Sequence, residues 1–283
     1  MIKIISDSTC DLCGELLTKY DITILPLHIL LGEKEYEDGL DITPEEIYRW
    51  SEEHKETPKT SAPSIDRATE LFEPYVKAGD ELICFSISGS MSASGSIMRL
   101  AAEKLEAEDR VKVIDSQNLS TGIGLLVVEA AAMAKAGRTS EEIVRRMEEL
   151  IPRVRASFVV DTLVYLHRGG RCSGLAAMAG GALKLHPRIE VKDGAMQSGK
   201  KYRGSIDKVI LSYVKDMEEE LKQADNTRVF ITHSGCDRAA VEQVNAYLKD
   251  LGVFSEIWET RAGGVVSSHC GPGTLGVLFI ANN

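Results

Sequence analysis

A chain of 283 residues, 43% of them hydrophobic and 27% charged, can bury a sizeable core, and at about 100–200 residues per domain it is long enough for two domains. Its formal net charge of −10 denies it the basic face that nucleic acid or an anionic membrane surface would require. Six scattered cysteines, no apolar run of about 20 residues, and a start (Met-Ile-Lys-Ile-Ile-Ser-Asp) that reaches charge too soon for a signal peptide predict a cytoplasmic protein that folds without disulfides.

Residues 2–5 read as a strand, and Ser8, Thr9 and Asp11 offer N-cap chemistry before a helix over 12–20. Residues 22–31 are apolar and broken by Pro26. Thr43-Pro44-Glu45-Glu46 starts a helix, with Pro in its first turn and acid at the positive end of the dipole. An amphipathic stretch over 66–78 precedes a buried-strand pattern over 81–88. A small-residue helix over 94–107, a strand over 111–115, a long helix over 120–136 closed by Gly137, and a helix over 140–151 follow. This alternation predicts an α/β fold: a mostly parallel sheet with helices on both faces, and ligands outside the carboxyl ends of its strands.

The pattern changes near residue 157. A strand over 158–163, a Gly/Arg turn over 167–173 and an Ala/Gly-rich helix over 174–185 come first. A hairpin then joins 188–192 to 196–203 around Asp193-Gly194. A long helix over 205–223, a strand over 228–233, a helix over 238–251, and strands over 253–260 and 274–281 complete an α+β second half.

Three hydroxyl-rich segments stand out: Ser6-Asp7-Ser8-Thr9, Thr60-Ser61-Ala62-Pro63-Ser64, and the loop 86–96. The last holds six serines and two glycines at a strand-to-helix junction. Helix N-terminal N–H groups and hydroxyls there suit an anion; the other reading is a capped helix start with solvated serines. Its spacing matches neither Walker A nor G-x-S-x-G. Ser267-Ser268-His269-Cys270-Gly271-Pro272-Gly273 reads as a tight loop in which His269 is hard to explain by packing. In Arg168-Gly169-Gly170-Arg171 the glycines permit a tight turn in which an arginine can approach an anion; the other reading is a surface arginine. Cys10-Asp11-Leu12-Cys13 is formally C-x-x-C, but no second Cys/His pair with zinc-like spacing supports metal or redox work.

In this order the segments resemble the DegV family, which includes the fatty-acid-binding subunits of bacterial fatty acid kinase. The resemblance spans essentially the whole chain. It rests on Ser6-Asp7-Ser8-Thr9 with Asp11-Leu12, Leu25-Pro26-Leu27, Asp38-Gly39-Leu40-Asp41-Ile42, Lys59-Thr60-Ser61-Ala62-Pro63-Ser64, the loop 88–94, Val113-Ile114-Asp115-Ser116, residues 166–171, and His269-Cys270-Gly271-Pro272-Gly273. It implies a carrier with a ligand tunnel between two domains, residues 1–157 and 158–283. Such a carrier would present a long-chain fatty acid to a separate ATP-dependent kinase that forms the acyl phosphate. No catalytic residue, metal or cofactor of its own is expected, and the expected state is a monomer.

Carried over by motif, the resemblance makes Thr60 or Ser61, together with Ser92, the hydroxyl donors to the carboxylate, with His269 as the imidazole in the same network. Arg171 would lie near the head group and Arg203, in Lys201-Tyr202-Arg203-Gly204, would face the kinase. Residues 176–183, small and with one Met, would wall the tunnel; the other reading is a helix packed closely on the sheet. Two positions depart from the family. His28 stands where a serine is common and would add a second imidazole near the head group. Ala93 replaces a glycine of the serine loop. The competing readings are a serine hydrolase or acyltransferase using Ser92 and His269 with Asp7 as orienter, and an anion or nucleotide sensor built on the serine loop.

Overall fold

Strand β1 (Ile2–Asp7) ends in a 3-10 turn over Ser8–Cys10 and is followed by helix α1 (Gly14–Tyr20) and the parallel strand β2 (Ile22–Leu25). Pro26 has no N–H to extend that ladder, and the chain leaves the sheet to form β3 (His28–Leu31), which returns through Gly32 (φ +63) as β4 (Lys34–Glu37). The computed structural model describes residues 1–170 and 185–282. Helix α2 (Pro44–His54) begins with a complete capping box between Thr43 and Glu46. Strand β5 (Lys59–Ser61) pairs with β3, giving a small antiparallel sheet of order β4-β3-β5 that the sequence reading did not anticipate.

Helix α3 (Ile65–Lys77), strand β6 (Glu81–Ser86), helix α4 (Ser94–Lys104) and strand β7 (Val111–Asp115) complete the first large sheet. It is parallel throughout, in the order β2-β1-β6-β7. From β1 the chain moves one way to β2 and later the other way to β6. The switch point of the topology therefore lies at the carboxyl ends of β1 and β6.

Helices α5 (Thr121–Lys135) and α6 (Ser140–Leu150) lead to β8 (Val154–Val159). The strand expected over 158–163 thus lies earlier. Val154, Ala156 and Phe158 alternate into the central core, and the extended run stops before Asp161. A short helix, α7 (Val164–Gly169), occupies part of the expected Gly/Arg turn. The helix expected over 174–185 lies almost wholly outside the described residues. Strands β9 (Leu185–Lys192) and β10 (Ala195–Arg203) form the expected hairpin; Asp193 (φ +50) and Gly194 (φ +75) supply its two-residue turn.

One helix was expected over 205–223; two are found, α8 (Ile206–Asp216) and α9 (Glu218–Lys222), separated at Met217. Strand β11 (Ala224–His233), helix α10 (Arg238–Leu251), strand β12 (Glu256–Arg261), helix α11 (Gly264–Cys270) and strand β13 (Leu275–Ala281) follow. The second large sheet is mixed, in the order β10-β9-β8-β13-β11-β12.

The buried side chains define the layering. Ile5, Leu82 and Cys84 face α3 and α4 on one side of the first sheet. Ile4, Ile83 and Phe85 face α5 on the other, together with Phe158, Ile189, Phe230 and Leu278 of the second sheet. Val229, Ile231, Val277 and Phe279 point outward to α8 and α10. Helix α5 therefore runs between two sheets. That position explains why residues 121–128 are buried on every side rather than along one stripe. The chain thus has the α/β architecture expected, a parallel sheet with helices on both faces and a second, mixed-sheet unit.

Candidate functional site

Above the carboxyl ends of β1 and β6 lies a mainly apolar cavity of about 280 Å³. Leu27, Ile87, Met91, Leu119, Leu166, Met196, Val265, Val266 and Cys270 supply its apolar wall; Thr60, Ser61, Ser92 and His269 supply its polar groups. The lining comes from the loops that follow β2, β6 and β7, from β5 of the small sheet, from β10 of the second large sheet, and from helices α7 and α11. Hydroxyl and imidazole chemistry thus meets hydrocarbon surface at the switch point.

His269 lies in the last turn of α11, which corrects the loop expected there. Its Nε2 is 2.7 Å from Thr60 Oγ1 on β5. A side chain at Gly169 would stand 2.3 Å from His269 Nδ1, so the glycine at the end of α7 makes room for the ring. Thr60 is opposite Ile29 in the β3–β5 ladder, which fixes the height of its hydroxyl.

Helix α11 is short and contains Gly and two Ser, so local propensity does not account for it. Two buried carboxylates hold its start. Asp11 Oδ1 accepts the N–H of Gly263 at 2.8 Å, and Asp38 Oδ1 accepts that of Gly264 at 2.7 Å. The other oxygens are also used: Asp11 Oδ2 accepts from Ser120 Oγ at 2.5 Å and Asp38 Oδ2 from Ser8 Oγ at 2.8 Å. Negative charge at a helix N-terminus is favourable, but these groups are buried. Burial, reinforced by the neighbouring Asp38 and Asp7, pushes Asp11 up to about 8 against the pull of the Ser120 and Gly263 donors. Burial likewise raises Asp38 and Asp7. A Cβ on Gly264 would meet Ile29 Cδ1 at 2.6 Å and Asp38 Oδ1 at 2.8 Å; only glycine allows this approach.

The remaining motif residues serve position more than contact. Asp7 accepts from the Ile87 N–H at 2.8 Å and from Thr9 Oγ1 at 2.5 Å, tying the end of β1 to the loop after β6. The hydroxyl of Ser8 accepts from Leu27 N–H while donating to Asp38. Ser88 and Ser90 donate to the carbonyl of Gly194 at the hairpin tip. Ser92 Oγ accepts the Ser94 N–H at 3.3 Å, which leaves its own proton for another acceptor.

Of the residues singled out in the sequence, Thr60, Ser61, Ser92 and His269 line one cavity. His28 does not line it; its Nδ1 is 3.1 Å from Glu35 Oε1. Ala93 lines it and leaves the loop intact. Arg203 is exposed at the end of β10. Arg171 and residues 176–183 lie outside the described residues. Asp7, expected to orient an imidazole, is engaged by Thr9 and Ile87. Burial pushes Cys10 up to about 12, so the C-x-x-C offers no activated thiolate at that position. The roles of Asp11 and Asp38 in holding α11 were missed. Their signal was present as aspartates inside the motifs, but their partners are more than two hundred positions away.

Among the described residues no helix is long and apolar enough to cross a membrane. A family model described as an uncharacterised protein, DegV family, matches residues 1–282. A DegV domain-containing protein of Deinococcus radiodurans is 33% identical over 281 residues, 98% of each chain. A DegV family protein from Thermus thermophilus, characterised for fatty acid binding, superposes with a TM-score of 0.90 over 99% of each chain at 30% identity. A stearic acid-binding protein from Eubacterium ventriosum does so with a TM-score of 0.87 at 32% identity, covering 99% of this chain and 98% of that one. With the family match running from the first residue of β1 past the end of β13, this chain belongs to the DegV family.

Proposed function

We propose that this protein encloses a long-chain fatty acid and presents its carboxylate to a separate ATP-dependent kinase. The observation that carries the reading is the Thr60 Oγ1–His269 Nε2 pair at 2.7 Å in the wall of an otherwise apolar cavity. A desolvated carboxylate needs two or three donors. With Nε2–H donating to Thr60 Oγ1, the threonine proton points to the ligand; Ser92 supplies a second donor and Ser61 a third. His28 stays outside this donor set, its Nδ1 3.1 Å from Glu35 Oε1.

Neutral hydroxyls orient the carboxylate without the strong ion pair that would weaken it as a nucleophile. One of its oxygens attacks the γ-phosphorus of ATP held by the kinase. The bond to the β,γ-bridging oxygen breaks, ADP leaves, and the acyl phosphate remains in the cavity. Affinity comes from the tail, at about 0.8 kcal/mol gross per buried methylene. Arg203, exposed on β10, is assigned to the kinase-facing surface.

Mass spectrometry of the purified protein, native and then denatured, with lipid analysis of the extract, tests the reading. A stoichiometric fatty acid seen only in the native spectrum is expected. A protein that emerges empty and stays empty after incubation with fatty acids of varied length would sink it.

A further inference from the structure

We propose that a second cavity, on the outer face of the mixed sheet beside the β9–β10 hairpin tip, binds a phosphate group. At about 460 Å³ it has the size of a small-molecule site, and its lining shares no residue with that of the cavity around His269. It opens where two strands part. Strand β8 starts at Val154, but its ladder with β9 runs only from Ala156, opposite Val191, to Val159, opposite Arg188. The next rung would set Arg155 against Lys192, and it is not made. The hairpin tip leans instead to the serine loop, where the Gly194 carbonyl accepts from Ser88 Oγ at 2.7 Å.

Ala156 and Val191 turn into the central core, so Arg155 and Lys192 turn together to the outer face, and both line the cavity. Like charges placed across a sheet in this way repel. Arg155 Nη1 donates to Pro152 O at 2.9 Å, and neither cation forms an ion pair among the described residues. Asn118 adds a neutral donor to this end of the lining. Its side chain is buried and its Oδ1 accepts the Leu119 N–H at 3.1 Å, while its NH2 has no protein acceptor among the described residues and is left for a ligand. The far end is neutralised from within: Arg188 Nε lies 3.0 Å from Glu190 Oε1, and its Nη2 3.7 Å from Glu220 Oε1. Asp193, the remaining acid of the lining, stands exposed in the turn. A phosphate suits the tip end, because a guanidinium takes two of its oxygens in a fork, an ammonium takes a third as a point charge, and the amide NH2 reaches a fourth.

Calorimetric titration of the full chain at fixed ionic strength, with inorganic phosphate and with ribose 5-phosphate, tests the site. Saturable binding at one site is expected. Lys192→Gln, at an exposed position that the fold does not need, should weaken it about threefold to tenfold, the low end for a charge-assisted contact because solvent screens it. Arg155→Gln should weaken it at least as much. Lys192→Arg keeps the charge and should stay within about twofold of wild type. Lys77→Gln, an exposed cation on α3, removes the same net charge elsewhere and should change nothing. Wild-type affinity in a folded Lys192→Gln protein, an equal loss in Lys77→Gln, or a wild type that binds neither probe overturns the site. Binding of inorganic phosphate alone assigns it to the free ion; binding of ribose 5-phosphate, alone or in competition with phosphate, assigns it to the phosphate of a small ester.

Discussion

Asp38 accepts the backbone N–H of Gly264 at 2.7 Å across 226 positions of sequence. A carboxylate from the loop after β4 thereby fixes the start of the helix whose last turn carries His269. The imidazole in the cavity wall is positioned by a residue that does not itself line the cavity. The distance between His269 and Thr60 depends on that anchor, because Thr60 belongs to the small sheet and His269 to a helix inserted between strands of the second large one.

Replacing Asp38 with Ala should therefore lower stability and lipid affinity together. The lost cap and the buried Gly264 N–H left without an acceptor cost about 1–3 kcal/mol. Asp38→Asn keeps an acceptor and should lose less. Denaturant unfolding and fatty-acid titration on the same preparations check this. An Asp38→Ala protein with unchanged midpoint and unchanged affinity would show that α11 holds its place without the cap.

Asp11 makes stability depend on pH in a definite direction. Its unfolded value is near the ordinary 3.8 and its folded value is pushed up to about 8 by burial. Between these values the folded state keeps a proton that the unfolded state has released. Its contribution is complete below about pH 4 and is lost as pH rises through about 8, with a slope of at most about 1.4 kcal/mol per pH unit. Asp38 and Asp7, raised by the same cause, add to that slope. Asp11→Asn keeps an acceptor for Gly263 and should flatten the curve. Urea midpoints at pH 5 and pH 8 decide it: wild type should lose more than the variant on going to pH 8. Parallel losses would mean that Asp11 does not titrate in this window.

Thr60→Val preserves shape and removes the hydroxyl that meets His269. A hydrogen bond to a carboxylate is worth about 1.5–3 kcal/mol, so affinity should fall about tenfold to a hundredfold, with His269→Ala and Ser92→Ala in the same range. Thermal melts should show the fold retained, since Thr60 lies on an edge strand of the small sheet. Unchanged affinity in a folded Thr60→Val protein would remove the hydroxyl from the head-group site.

Where local chemistry and tertiary packing agree, the elements were legible. Strand β7 and helix α10 occupy the residues their patterns predicted, and the Asp193-Gly194 turn forms the expected hairpin. Helix α11 was not legible, because the serines, glycines and proline of residues 267–273 read as a tight loop. The helix exists there because Asp11 and Asp38 cap it from far along the chain. The small sheet escaped for a related reason. Lys34–Glu37 is short and charged, and its partner β3 was masked by an apolar run shared with β2. In the site, the family resemblance pointed to Thr60, Ser61, Ser92 and His269, but residue type could not divide the labour among the serines. Ser88 and Ser90 face a carbonyl more than a hundred residues away, and that partner is set by how the two sheets pack.

Substitution of Arg203 tests binding apart from the proposed delivery. Arg203 is exposed on β10 and does not line the cavity, so Arg203→Ala should leave fatty-acid affinity within about twofold of wild type, as expected for a surface change of under ~0.5 kcal/mol. If the kinase docks against this end of the hairpin, losing the guanidinium removes a charged contact. Phosphorylation of the bound acid should then slow at limiting carrier and recover as carrier concentration is raised, because the defect lies in association rather than in the head group. Charge reversal, Arg203→Glu, should slow it further by placing like charge opposite the acidic partner group that an arginine would contact. Assaying acyl phosphate formation against carrier concentration with an ATP-dependent fatty acid kinase distinguishes the cases. Equal rates for wild type and Arg203→Glu at every concentration would place the kinase elsewhere on the molecule and leave the cavity assignment untouched.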